Sequence, residues 1–303
     1  MPYSGLDSKT DPKGQQTRLL PLPHALDSFE HLLRFLEGRE PAVFLDYDGT
    51  LTPIVDTPDQ ALLAPEVRRT LVRLTTTVLT GIISGRDLHD VRHLVQVEGL
   101  LYAGSHGFDI QLPEGRRIQP HPPSQDLDQA EQDLRLSLGD LSGIMLERKR
   151  FSLAIHFRLA SEAEEKEMRR RLKPALALFS SLRFFEGKKV IEVQPDLEWD
   201  KGQALLHVLQ QVAQPARKLF PLYLGDDTTD ETAFAVLKTP PGHSEKHPPA
   251  PPEGGTGAAH CGLGICVGDE DRLTWARFRL KDPQEVHTFL QRFTAWMQET
   301  GAV

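Results

Sequence analysis

Two aspartates one residue apart, Asp46 and Asp48, stand where a short apolar run, Ala42-Val43-Phe44-Leu45, stops. The run shows no helical period and reads as a strand buried on both faces. Such a strand buries carbon, so two carboxylates at its carboxyl end call for a chemical reason. That end is where ligands bind in an open α/β sheet. One carboxylate there can attack, another can move a proton, and together they can hold a hard cation. Other strand ends repeat the pattern. Thr77 to Ile83 runs into Ser84, Leu100 to Ala103 delivers Ser105 and His106, and Phe220 to Leu224 delivers Asp226, Asp227 and Asp230. Lys201 adds an ammonium. Singly, each has a plainer reading. Gly225-Asp226-Asp227 is a common turn composition, Asp230 suits a helix N-terminus, and Ser84 would cap a helix starting near Arg86. Jointly, in one α/β pattern, they point to a site.

The chemistry that suits the set is phosphoryl transfer, which needs compensating cations and an in-line nucleophile. Mg²⁺ takes oxygen ligands in octahedral geometry, and Asp46, Asp48, Asp226, Asp227 and Asp230 are the candidates to supply them. Such an ion would also keep neighbouring carboxylates ionised. Ser84 and the amides of the Asp48 to Thr50 turn can hold phosphate oxygens, with Lys201 as a point charge. Asp46 is then the nucleophile, through an aspartyl phosphate, and Asp48 the acid and base.

The elements that position these groups alternate. Strands followed by helices, Pro65 to Leu74, Asp87 to Val95 and Glu231 to Leu237, predict a mostly parallel sheet with helices on both faces. His24 to Gly38 carries a helical stripe, and Gly262 to Val267 reads as a last strand. Residues 1–24 read as a flexible tail. The stretch 110–195 breaks the alternation and reads as a small inserted module of the β-α-β-β kind. It holds a helix Asp126 to Leu138, the alternating run Phe151 to Phe157, a charged helix Ser161 to Ser180 and a hairpin Arg183 to Gln194. The core is then 25–109 with 196–303, and 239–260 is a Pro-rich loop within it, read as solvated.

The 303 residues carry 43 acidic and 35 basic side chains, a net charge of −8. That balance speaks against a nucleic-acid binder. No apolar run approaches the roughly 20 residues that span a bilayer. Met1 to Pro23 lacks the apolar stretch of a signal peptide, and the two cysteines, Cys261 and Cys266, read as small buried residues, so a reducing, cytoplasmic setting is expected.

Asp46-Tyr47-Asp48-Gly49-Thr50-Leu51 is similar to the nucleophile motif of the haloacid dehalogenase superfamily, and Ser84, Lys201 and Gly225-Asp226-Asp227 fall where its later motifs fall. Ile83 to Arg86, Gly104 to Gly107, Gly225 to Glu231, Glu147 to Arg158 and Gly187 to Val193 resemble the trehalose-6-phosphate phosphatase family. The resemblance implies a Rossmann-like core, a mobile cap made from the inserted module, and Mg²⁺ held by Asp46, Asp226 and the Asp48 carbonyl. It implies Thr50, Gly85, Arg86 and His106 near the substrate, His106 in a supporting rather than catalytic part. On the cap it places Glu147, Lys149, Arg158, Lys188 and Glu192 around the sugar, although alternating charges also suit a solvated face. The implied substrate is a small sugar phosphate, trehalose 6-phosphate before sucrose phosphate or glucosylglycerol phosphate. A silent sugar-phosphate-binding protein is the competing class. One departure is Gln194, which stands where the family carries arginine.

Overall fold

The structure, a computed structural model, describes residues 22–301 except 56, 122–123, 177, 188, 214–218, 239–260 and 269–271. The expected Pro-rich loop and most of the expected tail therefore lie outside the described residues. The described end of that tail is tied down: the Pro23 carbonyl accepts from Arg279 N–H at 3.0 Å, and His24 Nε2 lies 2.8 Å from Glu285.

The strands are β1 (Glu40–Leu45), β2 (Leu79–Ile83), β3 (Leu101–Gly104), β4 (Asp109–Gln111), β5 (Arg117–Ile118), β6 (Met145–Arg148), β7 (Leu153–His156), β8 (Leu182–Gly187), β9 (Val190–Pro195), β10 (Leu219–Gly225), β11 (Leu263–Val267) and β12 (Phe278–Leu280). The helices are α1 (Phe29–Leu33), α2 (Pro65–Thr75), α3 (Leu88–Val95), α4 (Gln125–Leu138), α5 (Glu162–Leu176), α6 (Lys201–Val212), α7 (Glu231–Lys238) and α8 (Pro283–Thr300).

Eight strands form the larger sheet in the order β12-β11-β10-β1-β2-β3-β4-β5. From β12 to β3 neighbours run parallel, and β4 and β5 close the edge antiparallel. Every residue from Pro41 to Leu45 is buried, and the alternation of the strand divides them. Val43 and Leu45 pack with Leu71 of α2, Val91 of α3 and Phe289 of α8; Ala42 and Phe44 pack with Leu205 of α6 and Phe234 of α7. The result is a three-layer α/β/α sandwich with β1 at its centre.

The chain leaves β1 for β2 and β3 on one side and returns through β10 on the other. Strand order therefore reverses at β1/β10, the place where such sheets form a crevice at their carboxyl ends. Leu45 lies beside Leu224 in register, so Asp46 and Asp226 emerge near one another.

Four strands, β6-β7-β9-β8, form a second, antiparallel sheet. Helices cover one face: Leu153, Ile155, Ile191 and Val193 pack under Leu134 of α4 and Met168 of α5. In chain order the module reads α4-β6-β7-α5-β8-β9: α4 falls where the helix Asp126 to Leu138 was expected, and β6 is one strand more than the expected β-α-β-β. The module also starts later than residue 110, because β4 and β5 still belong to the larger sheet. The core elements that escaped the sequence pattern are the edge strands β4, β5 and β12, with α6 and α8, whose buried stripe runs from Val286 to Met297. The stripe expected over His24 to Gly38 is helical only from Phe29, as α1 and a following 3₁₀ turn Arg34–Leu36.

Candidate active site

The sharp turn after β1 is built by glycine. Gly49 has φ +81°, and a Cβ there would lie 2.0 Å from Asp226 Oδ2, so only hydrogen fits. Its N–H donates to the Thr52 carbonyl at 2.7 Å and is spent inside the turn rather than left for a phosphate. Thr50, fully buried, donates its hydroxyl to Asp226 Oδ1 at 3.2 Å. Tyr47 turns away into the core and donates to the Ala61 carbonyl at 2.6 Å, which anchors the loop between the two aspartates.

Asp46 is 5% exposed and receives Lys201 Nζ at 2.9 Å. Lys201 opens α6, where the Asp200 carboxylate caps the helix by accepting from Gln203 N–H at 2.9 Å. The same ammonium donates to Asp230 at 2.7 Å. Asp230 also accepts from the Tyr223 hydroxyl at 2.7 Å and the Asp227 amide at 3.0 Å. Both its oxygens are thus engaged within the protein. Carboxylate oxygens of Asp46, Asp226 and Asp230 lie within 4.8 Å of one another, a group able to hold a metal ion. Asp227 stays outside it: exposed, it caps its own turn by accepting from Thr228 N–H at 2.6 Å.

One ammonium among three close carboxylates leaves an excess of negative charge. Burial, relieved by Lys201 but reinforced by Asp230 and Asp226, pushes the Asp46 carboxyl up to about 8. Burial and the Asp230 charge push Asp226 up to about 6. Burial pulls the Lys201 ammonium down, but its two carboxylate partners outweigh that and hold it above its ordinary value. A hard divalent cation is what would bring both aspartates back to their ionised forms at neutral pH.

Asp48 lies across the cleft in the fork of Arg86, with Nε 2.7 Å from one oxygen and NH2 2.6 Å from the other. The guanidinium also lies over the Tyr47 ring, 5.4 Å from its centre. Ser84 is buried and accepts from Arg86 N–H at 3.1 Å, so its hydroxyl proton stays available to a ligand. It caps this turn and not a helix, for α3 begins only at Leu88. His106 sits in the left-handed region at φ 55°, between Ser105 and Gly107, which also have positive φ. Gly85 makes room for it: a Cβ there would meet the imidazole at 2.9 Å. Burial, with the Lys201 charge, pulls the His106 imidazole down to about 4, so it is neutral in neutral solution.

On the four-stranded sheet, Glu192 receives Lys149 Nζ at 3.3 Å and Ser152 Oγ at 3.2 Å. Burial alone would raise its carboxyl, but Lys149 and His106 outweigh it and hold the group below its ordinary value. Glu192 is therefore charged and faces the core loop that carries His106. Glu147, on the same open face, pairs with His156 at 2.7 Å. Arg158 is exposed, two residues beyond the end of β7. Lys188 lies outside the described residues. Gln194 is directly across from Arg183 of β8, so this face still carries a guanidinium beside residue 194. Tyr223 and Asp200 were absent from the sequence-level site. Tyr223 reads as one more apolar strand residue, and only the fold shows its hydroxyl under Asp230.

The fold and the carboxylate cluster define a class. A haloacid dehalogenase-like hydrolase from Bacteroides thetaiotaomicron superposes with a TM-score of 0.59 at 13% identity, covering 84% of this chain and 99% of that one. The trehalose-6-phosphate phosphatase C-terminal domain of C. albicans superposes with a TM-score of 0.68 at 23% identity, covering 90% and 98%. The chain has the haloacid dehalogenase-like hydrolase fold. The trehalose-phosphatase family model matches residues 44–255. The probable trehalose-phosphate phosphatase H of Arabidopsis thaliana is 36% identical over 299 residues, 94% of this chain and 80% of that protein. The chain belongs to the trehalose-phosphatase family.

Proposed function

We propose that this protein is a Mg²⁺-dependent phosphomonoesterase that hydrolyses trehalose 6-phosphate to trehalose and phosphate. The observation that carries the reading is the Asp46 carboxylate, held at 2.9 Å by Lys201 and grouped with Asp226 and Asp230, in a chain of the trehalose-phosphatase family. The donor set fits Mg²⁺: carboxylate oxygens only, with too little positive charge of their own. Asp46, Asp226 and the Asp48 carbonyl would hold the ion, while Asp230 orients Lys201 and the Asp227 amide. When bound, the ion offsets the charge of the phosphoryl oxygens and of the aspartates around them.

Asp46 attacks phosphorus in line and forms an aspartyl phosphate as the sugar alkoxide leaves. Lys201 and Ser84 hold phosphoryl oxygens by charge and by a donated hydroxyl proton. Asp48 gives a proton to the alkoxide and then takes one from the water that splits the acyl phosphate. Its carboxylate rests in the Arg86 fork, so delivery of a proton requires the fork to open; a substrate phosphate offers Arg86 another bidentate partner. Glu192, Lys149 and Glu147 grip sugar hydroxyls from the cap, since carboxylates accept two hydroxyl donors and an ammonium donates. The cap excludes bulk water from the reacting groups. The setting that goes with this reading is cytoplasmic, supported by the free Cys261 and Cys266, and the acidic net charge supports no nucleic-acid role. Among the described residues no helix is long and apolar enough to cross a membrane. The test is phosphate release from trehalose 6-phosphate by the wild type with Mg²⁺ and its loss in Asp46→Asn; substantial residual turnover in that folded variant would sink the mechanism.

A further inference from the structure

The turn between β6 and β7, Lys149-Arg150-Phe151-Ser152, is closed by Lys149 N–H donating to the Ser152 carbonyl at 2.9 Å. Its outer members hold Glu192, through Lys149 Nζ at 3.3 Å and Ser152 Oγ at 3.2 Å. Its inner members rest on the core. Arg150 N–H donates to Asp87 Oδ2 at 3.3 Å, and its Nε lies 3.8 Å from Asp109 Oδ2. Phe151, 2% exposed, stacks on Phe108 with ring centres 5.5 Å apart and planes 22° apart. The core partners are fixed from their own side. Asp87 accepts the Ser105 hydroxyl at 2.5 Å, and Asp109 accepts from Arg117 Nε at 2.7 Å. Phe108 also touches Trp199 and His121, with ring centres 6.1 and 5.9 Å away, on the two segments where the chain crosses between the sheets.

One four-residue turn thus does two things: it seats the cap on the core and it carries the Glu192 group. We infer that Arg150 and Phe151 are positioning residues that set the height of Lys149 and Glu192 above Asp46. The inference rests on Glu192 and Lys149 being the sugar-facing pair. If the turn lifts, that pair leaves with it. Asp46, Lys201 and Asp226 stay in place, since none of them touches the turn. The sugar half of the cleft is lost and the phosphoryl half is kept.

The test compares the full chain with Arg150→Met, which keeps the stem and removes the charge, and Phe151→Leu. Substrates are trehalose 6-phosphate and p-nitrophenyl phosphate, with free trehalose as a competitor. In each variant kcat/KM on the sugar phosphate should fall about tenfold or more, as a misplaced binding group costs. Inhibition by trehalose should weaken in parallel, while the aryl phosphate stays within about twofold of wild type. Equal losses on both substrates, or no loss on the sugar phosphate, would overturn the inference. A wild type inert toward trehalose 6-phosphate but active on the aryl phosphate counts instead against the substrate assignment. Arg150 is half exposed, so Arg150→Met decides the matter if Phe151→Leu does not fold.

Discussion

Asp46 is an acid placed where an acid is unwelcome, and each neighbour shows what it is for. Lys201 at 2.9 Å neutralises one charge, yet Asp226 and Asp230 add two, which leaves a group able to hold a cation. Asp46→Asn removes the attacking oxygen while keeping the shape, and turnover should fall by at least ~10³-fold with the circular dichroism spectrum unchanged. Glu192 belongs to the other half of the cleft. Glu192→Ala deletes an acceptor held by Lys149 and Ser152; kcat/KM for trehalose 6-phosphate should drop roughly 10- to 100-fold, the worth of one charged hydrogen bond. The same variant should keep nearly full activity on a small aryl phosphate, and matched losses on the two would remove Glu192 from the sugar site.

At the scale of elements, the site is a product of turns. Gly49 lets the β1 loop pass within contact of Asp226, and Gly85 lets the β2 loop pass the His106 ring. Gly49→Ala places a methyl on Asp226 at a backbone angle that side chains rarely adopt, so Asp226 must shift. The Mg²⁺ concentration for half-maximal activity should rise about tenfold or more, as displaced ligands usually cause; an unchanged Mg²⁺ titration would show that Asp226 is not a ligand. These turns explain what the sequence did and did not disclose. Asp46 and Asp226 are legible because a charge at the end of an apolar strand violates the strand's own pattern. Asp227 misleads, since adjacency in a Gly-Asp-Asp triplet does not say which carboxylate faces inward and which caps the turn. Tyr223 is hidden because a buried hydroxyl looks apolar until its partner is known. Helix α8 and strand β12 escaped because their burial comes from contacts distant in sequence, with Phe289 against Phe29 at 5.8 Å as one example.

Across the whole molecule, the charge cluster would couple folding to metal binding. Asp46 has its folded-state pKa raised to about 8 and Asp226 to about 6, so across that range the folded chain holds protons that the unfolded chain has released. Their contribution to stability is complete below an ordinary carboxylate pKa and is lost as pH rises through the raised values. His106, lowered to about 4, works in the opposite sense, but only below about 6.5, where an unfolded histidine protonates. Between pH 6.5 and 8 the metal-free protein should therefore lose stability. The rise in unfolding temperature on adding Mg²⁺ should grow over the same interval, since the ion replaces the missing protons. A Mg²⁺ effect independent of pH would separate the ion from these carboxylates. In the proposed reaction the two sheets share the work: the parallel one would supply the phosphoryl chemistry at its strand-order reversal, and the antiparallel one a charged face for the sugar. The most direct measurement is phosphate release by the purified chain from trehalose 6-phosphate, sucrose 6-phosphate and glucosylglycerol phosphate, each with Mg²⁺ and with EDTA. The proposed reaction predicts turnover with Mg²⁺ that favours trehalose 6-phosphate and disappears in EDTA. Release that is untouched by EDTA, or that favours another sugar phosphate, would contradict it.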